Sequence, residues 1–426
     1  IEGIETITYE MTAEASSLTG KAMNAEAKAS LLEVLNGVEA TLANYTSKIA
    51  SGTVELSDAN AWIAAMEAVE SAVANAKLSI EAYVALGSQI TAARTKAALY
   101  PQETCGGIDE FGLDAINSKF VNGEYLDSEI PAAVIEVKGI TNRYLMADAV
   151  AYGSASNPID VSAFIVEQAG FDNDVYAPWQ ASPTPGVAYG SIEFYNTNFT
   201  LSQVLYGMPA GTYRLQTRAF YRYGDQPANY TAHNNGTLQR NAKLYISHSE
   251  GTQNADIMAI SDDPSEVHEW GAWSSQLYNG NPVPDNMQAA SEAIDVRGKY
   301  QPKNGYNNVE ITVSEMGDLT IGAKKETLVG SDWTFFGDFS LYYLGDGKHC
   351  IVLDETATEV PTINESITYD EVTLKRTLKA GVWNTFVSPF AIPASMLGGW
   401  EVKALTHSSF NGEVLSLTFD EVTDGI

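Results

Sequence analysis

Apolar residues recur at helical spacing through roughly the first third of the chain. Steps of four and three residues alternate over residues 62–90, and the same spacing recurs over 31–49 and again over 134–149. A single helix cannot bury such a stripe by itself, so several helices must pack side by side. We therefore predict an antiparallel helical bundle over residues 1–152.

The period of the pattern changes to two near residue 153. After the turn "MPAG", residues 213–223 place Tyr and Leu on one face and Arg214, Arg218 and Arg222 on the other. Several such short runs, separated by Gly, Asn and Pro, predict a jelly-roll β-sandwich over residues 153–346. The stretch "EMGDLT" predicts a hairpin between the runs on either side of it.

Residues 347–426 are again rich in short alternating runs and predict a third, small β domain. The predicted fold class is thus a multidomain chain, α then β. The order is an N-terminal antiparallel helical bundle, a central jelly-roll β-sandwich and a C-terminal small β domain.

The charge of the chain limits its partners. Its 54 acidic and 24 basic residues give a formal net charge of −30, which disfavours nucleic acid and anionic membrane surfaces. The sequence contains no apolar run long enough to span a bilayer. Its two cysteines, Cys105 and Cys350, have no zinc-site spacing, and whether they pair stays open.

No catalytic motif is recognisable. The sequence lacks the HExxH, GxSxG and P-loop patterns, and any two of its many acids could be chosen as a glycosidase pair. The sequence therefore predicts no enzyme and no cofactor, and it nominates no catalytic residue.

Four stretches carry a family resemblance: "FTLSQVLYGMPAGTYRLQTRAFYR", "PVPDNMQAASEAI", "NNVEITVSEMGDLTIGAKKE" and "SDWTFFGDFSLYYLG". In this order they resemble secreted and cell-surface proteins of Bacteroidetes that contain a galactose-binding-like, carbohydrate-binding sandwich. The resemblance covers roughly residues 156–346. It implies a glycan or glycoprotein partner and a location outside the cell or on its outer surface. The region after it resembles the C-terminal β domain of the same proteins, which would be incomplete in this chain.

Aromatic rings and amide, arginine or acidic groups are the usual sugar-binding side chains, and loops on a rigid sandwich are their usual place. Three clusters supply these types, from the arginine strand, from the loop after it and from "EVHEWGAWSSQLYNGNPVPDN". The candidate ligand-binding residues are Arg214, Arg218, Arg222, Tyr223, Tyr230, Trp270, Trp273 and Tyr278. Each arginine could instead pair with one of the many acids, and one tryptophan could close the core.

"FDND" places Asp172 and Asp174 where a loop could supply oxygen ligands to a structural calcium ion. Three hypotheses for function follow from the sequence. The first is a non-catalytic carbohydrate-binding protein on a helical spacer. The second is an adhesive or structural surface protein that binds another protein, and the third is an accessory region of a larger glycan-degrading enzyme.

Overall fold

The computed structural model describes residues 1–345, 350–354, 371–385 and 401–422. The predicted fold class is confirmed, because helices occupy the N-terminal part and antiparallel sheets follow. By their internal contacts the residues form two compact units. Among the described residues, one unit comprises 1–345, 350, 351, 371 and 372, and the other comprises 352–354, 373–385 and 401–422.

The described helices differ greatly in length. Their bounds are α1 (Glu2–Leu18), α2 (Ala25–Ser51), α3 (Leu56–Leu99), α4 (Leu113–Asn122), α5 (Ile130–Leu145), α6 (Ala147–Tyr152), α7 (Ser162–Ile165), α8 (Gln226–Asn234) and α9 (Met287–Ser291). The Asn24 side chain caps α2 by accepting from Ala27 N–H at 2.7 Å. The 44 residues of α3 span about 66 Å. No helix in the described residues is long and apolar enough to cross a membrane.

The strands of the sandwich are β1 (Ile159–Asp160), β2 (Gln180–Ser182), β3 (Gly186–Ala188), β4 (Ser191–Tyr195), β5 (Phe199–Met208), β6 (Gly211–Arg222), β7 (Ala242–His248), β8 (Gly251–Asp256), β9 (Asn308–Val313), β10 (Gly317–Lys325) and β11 (Trp333–Tyr343). The first sheet has the order β3-β4-β11-β6-β9, with β1 also paired to β11. The second sheet has the order β2-β5-β10-β7-β8.

The two predicted turns both carry the chain from one sheet to the other. "MPAG" leads from β5 in the second sheet to β6 in the first. "EMGDLT" leads from β9 in the first sheet to β10 in the second, so the hairpin predicted there is wrong. Instead β9 pairs with β6, and β10 pairs with β5 and β7. Turn residues specify that the chain reverses, but the partner of each strand is fixed by packing.

The inner faces of the two sheets share one apolar core. On β6, Tyr213, Leu215, Ala219 and Tyr221 are all fully buried, as the alternation predicted. The same core continues into the second half of α3 and into α5. A close approach of glycines allows this contact, because a Cβ at Gly207 would lie 2.9 Å from the Cα of Gly139. A separate cluster joins α1, α2 and the first half of α3.

A second layer of packing covers part of the outer face of the first sheet. Phe220, Trp333 and Phe335 point outward from the strands into a separate apolar cluster. The other side of this cluster comes from the chain between β8 and β9, including the buried Tyr278 and Tyr300. One end of the outer face is therefore covered, while the Arg214 end is open to solvent.

The C-terminal residues form two further pairs of strands. Strand β12 (Cys350–Asp354) pairs with β13 (Glu371–Lys375), and β14 (Lys403–Phe410) pairs antiparallel with β15 (Leu415–Glu421). The Lys403 ammonium lies 5.2 Å from the centre of the Trp383 ring. The completeness of this predicted domain remains a sequence-based expectation.

Candidate functional site

A cleft of about 500 Å³ opens on the outer face of the first sheet, beside the covered end. The residues that line it are Tyr189, Glu193, Tyr195, Arg222, Asp285, Asn286, Met287, Gln288 and Trp333. Strands β4, β6 and β11 provide its floor, and the segment leading into α9 provides one wall. The cleft thus combines aromatic rings with carboxylate, amide and guanidinium groups.

Strand register brings the floor together. Trp333 of β11 lies directly opposite both Tyr195 of β4 and Arg222 of β6. Side chains that face each other across an antiparallel pair point to the same side of the sheet. On β4, Ile192 and Phe194 fill the core, so Glu193 and Tyr195 must project outward into the cleft.

Glu193 is tied to the floor by one oxygen. Its Oε2 accepts a hydrogen bond from the indole N–H of Trp333 at 2.6 Å. Burial raises the pKa of Glu193 above the usual glutamate range, although the Trp333 hydrogen bond and the Arg222 charge oppose the shift. A carboxylate with a perturbed pKa inside a cleft is a common feature of functional sites.

Arg222 is the cation of the cleft, and its side chain is only 6% exposed. Its Nε donates to Gly224 O at 3.1 Å, its Nη1 to Asp285 Oδ1 at 2.9 Å and its Nη2 to Ser331 O at 3.2 Å. Its guanidinium carbon lies 5.3 Å from the centre of the Trp333 ring. All three nitrogens therefore have protein acceptors, and the guanidinium holds the wall against the floor.

The wall is fixed by hydrogen bonds to the neighbouring loop that carries Trp270 and Trp273, here called the tryptophan loop. Asp285 N–H donates to Ala272 O at 2.8 Å, and Ala272 N–H donates to Asn286 Oδ1 at 3.1 Å. At the rim, the Ser291 hydroxyl donates to Tyr189 O at 3.2 Å, which links α9 to the turn between β3 and β4. The cleft is consequently held from both sides.

Two tyrosines at the edge of the cleft expose their rings. Tyr189 is 54% exposed and Tyr195 is 55% exposed, although both contribute to the lining. Large aromatic side chains that remain half in solvent beside polar groups are typical of a recognition surface. The exposed rings and the acceptor groups of Glu193 and Asp285 together suit a ligand that has both C–H faces and hydroxyl groups.

The structure places the three arginines of the predicted arginine face (Arg214, Arg218 and Arg222) in different surroundings. Arg214 Nε lies 2.7 Å from Glu310 Oε1. Arg218 forms ion pairs with Asp295 at 2.7 Å and with Asp338 at 2.8 Å. Of the three arginines only Arg222 lines the cleft. The alternative that these charges pair with acids therefore holds for all three arginines, because Arg222 pairs with Asp285 at 2.9 Å.

None of the aromatic residues that the sequence predicted as ligand-binding lines this cleft. Tyr278 is 1% exposed and its hydroxyl accepts from the Asn229 amide at 2.8 Å, so its ring belongs to the core. Tyr230 packs edge-on against Tyr278, and Tyr223 packs against the main core. Tyr278 is thereby corrected from a binding residue to a core residue.

The two tryptophans of the loop differ in exposure. Trp273 is half-buried against the outer cluster, and its indole N–H donates to Trp270 O at 2.7 Å. Trp270 is 49% exposed. Its backbone N–H donates to the buried carboxylate of Glu292 at 2.6 Å, which fixes the loop. Trp270 thus remains a candidate on the surface beside the wall of the cleft.

The predicted calcium ligands, Asp172 and Asp174, are both exposed. One oxygen of Asp174 accepts from Gly190 N–H at 2.8 Å. Calcium takes six to eight oxygen ligands, and no group of three or more His, Cys, Asp or Glu side chains suited to a metal occurs in the described part of the chain. The two carboxylates alone do not supply such a shell.

Cys105 has a free thiol.

Of the residues that line this cleft, sequence reasoning nominated Arg222 and missed the others, including Tyr189, Glu193, Tyr195, Asp285 and Trp333. The available signal was the run "SIEFY", in which Glu193 and Tyr195 alternate with two core residues. An acid and a tyrosine on the outer face of a strand are unremarkable until a neighbouring strand is known. The partner, Trp333, is 140 positions away along the chain.

Comparison with known proteins adds little to this geometry. No protein-family model matches the chain, and no curated protein matches it significantly. Among solved structures, it shows a weak likeness to TmCBM61 in complex with beta-1,4-galactotriose. That likeness has 17% sequence identity, covers 42% of this chain and 97% of the other, and has a TM-score of 0.19. At this TM-score it carries no argument about fold or ligand.

Proposed function

We propose that this chain is a non-catalytic carbohydrate-binding protein that holds a glycan in the cleft of the first sheet. The observation that carries the proposal is the cleft itself, in which Tyr189 and Tyr195 are half exposed beside Glu193 and Asp285. Sugar rings pack their C–H faces on aromatic side chains, while carboxylates accept hydrogen bonds from sugar hydroxyls.

The proposal places the protein outside the cell or on its outer surface, with the helices as a spacer. The support for this location is the sequence resemblance to secreted and surface proteins, together with the strongly acidic composition. The non-catalytic part of the proposal is supported by the absence of a recognisable catalytic motif in the sequence.

Affinity electrophoresis in gels that contain neutral polysaccharides, followed by calorimetry with the corresponding oligosaccharides, tests the proposal. We expect Tyr195→Ala to weaken binding by about tenfold, since an aromatic contact with its buried area contributes about 1–2 kcal/mol. Its melting temperature should change little, because Tyr195 is 55% exposed.

Trp270→Ala is the matched control, since it removes an indole that is 49% exposed beside the cleft without lining it. A loss of binding in Trp270→Ala with full binding in Tyr195→Ala would move the site to the tryptophan loop. Binding to no glycan would reject the proposed function. Release of new reducing ends from a bound glycan would reject its non-catalytic part.

A further inference from the structure

The cleft is lined by more acidic than basic side chains. Among its lining residues, all of them in the described chain, Arg222 is the single cation, whereas Glu193 and Asp285 are both acids. Arg222 already has a protein acceptor for each of its three nitrogens. A ligand that carries a negative group would therefore meet two acids and one arginine that is only 6% exposed and already paired with Asp285.

The two carboxylates still have acceptor capacity. Glu193 Oε2 is taken by Trp333, and Asp285 Oδ1 is taken by Arg222 and by the Gln226 amide. Within the described residues, neither Glu193 Oε1 nor Asp285 Oδ2 accepts a further hydrogen bond, and the Asp285 side chain is 42% exposed. These two oxygens can accept hydrogen bonds from donors such as hydroxyl groups. They would repel an approaching carboxylate or sulfate.

We infer that the cleft accepts uncharged sugars and excludes acidic ones, with Glu193 as the residue that discriminates between them. This inference rests on the proposed function and narrows its ligand class. The partner is a neutral glycan rather than a uronate-containing, sialylated or sulfated one. The Asp285 charge is partly balanced by Arg222, whereas Glu193 has only the uncharged indole of Trp333 as a direct hydrogen-bond partner.

The test compares each neutral polysaccharide with a derivative whose C6 hydroxyls have been oxidised to carboxylates. The probes are galactan, β-glucan and mannan, each in both forms. We expect the carboxylated form of the bound glycan to bind at least about tenfold more weakly at 0.15 M salt, where the Debye length is about 8 Å. The short Debye length limits the contribution of the distant acidic surface.

Glu193→Gln should recover about tenfold in binding of the carboxylated form, with a smaller change for the neutral form. The amide oxygen of glutamine can still accept from Trp333, so the floor should stay intact. Glu315→Gln removes the same charge from an exposed position that does not line the cleft and is the matched control.

Equal or tighter binding of the carboxylated glycan would overturn the inference and leave the proposed function standing, provided that Tyr195→Ala weakens both forms. An unchanged neutral-to-acidic ratio in Glu193→Gln, or an equal change in Glu315→Gln, would also overturn it. If no glycan of either form binds, the proposed function fails, and the inference fails with it.

Discussion

The interior of the sandwich and the cleft on its outer face use acidic side chains in opposite ways. Inside, Lys325 and Asp332 form an ion pair in which both side chains are fully buried. The second oxygen of Asp332 accepts from the Tyr221 hydroxyl and from Val329 N–H, each at 3.1 Å. Both oxygens of the Asp332 carboxylate therefore have hydrogen-bond donors within the protein. This carboxylate can stabilise the fold but is not available to bind a ligand.

In the cleft the carboxylates are only partly satisfied. Glu193 has one hydrogen-bonded oxygen, and Asp285 remains 42% exposed. Because Asp285 and Glu193 are both partly exposed, their remaining oxygens can accept hydrogen bonds from water or from a ligand without an unsatisfied buried group. The comparison suggests that incomplete hydrogen bonding, rather than residue type, separates the recognition surface from the structural charges.

The largest effect is expected in the interior. Asp332→Ala leaves the Lys325 ammonium buried without its counterion and should lower the free energy of unfolding by about 3–5 kcal/mol. Urea denaturation measures this loss. The double variant Lys325→Met with Asp332→Leu removes both charges and should be more stable than Asp332→Ala. A loss below about 1 kcal/mol in the single variant would contradict the role given to this pair.

A smaller, pH-dependent effect is expected at Glu193. Its pKa is raised in the folded state by burial, so the folded protein holds this proton more tightly than the unfolded chain. The resulting stability is complete below the usual glutamate range and is lost as pH rises through the folded pKa. Glu193→Gln lacks this loss. Relative to the parent, the variant should therefore gain stability between pH 4 and pH 7.

Thermal unfolding of both proteins across that range measures the difference, and taking it between variant and parent cancels the titration of the other acids. A constant difference would show that the Glu193 proton affinity is the same in the folded and unfolded chain. Glu315→Gln, at an exposed position, provides the baseline.

The smallest effect is expected at the open end of the arginine face. Arg214 and Glu310 are 30% and 46% exposed, and exposed ion pairs contribute about 0.2–1 kcal/mol. Arg214→Ala should therefore cost less than about 1 kcal/mol in urea unfolding and leave glycan binding unchanged. A tenfold loss of binding in this variant would return the site to the predicted arginine face.

Local pattern predicted the elements well and the site only in part. The helical stripe of α3 is confirmed, with Met66, Val69 and Tyr83 buried along it. The alternation in β6 also assigned each side chain to the correct face. It could not show that Arg222 would be buried beneath a covering segment while Arg214, eight positions earlier on the same face, stays partly exposed. That difference comes from residues far away in the chain.

What the sequence by itself determined is therefore the class of the fold and the orientation of side chains within each element. Periods of 3.6 and 2 residues are local consequences of backbone geometry, and burial follows them. Tertiary structure alone decided that β4, β11 and β6 would be neighbours and that two turns would change sheets. The physical reason is that backbone hydrogen bonds can form between any two strands, so they do not determine which strands become neighbours. The neighbours of Glu193 were therefore selected by the packing of the whole core, and the cleft exists only once that packing is complete.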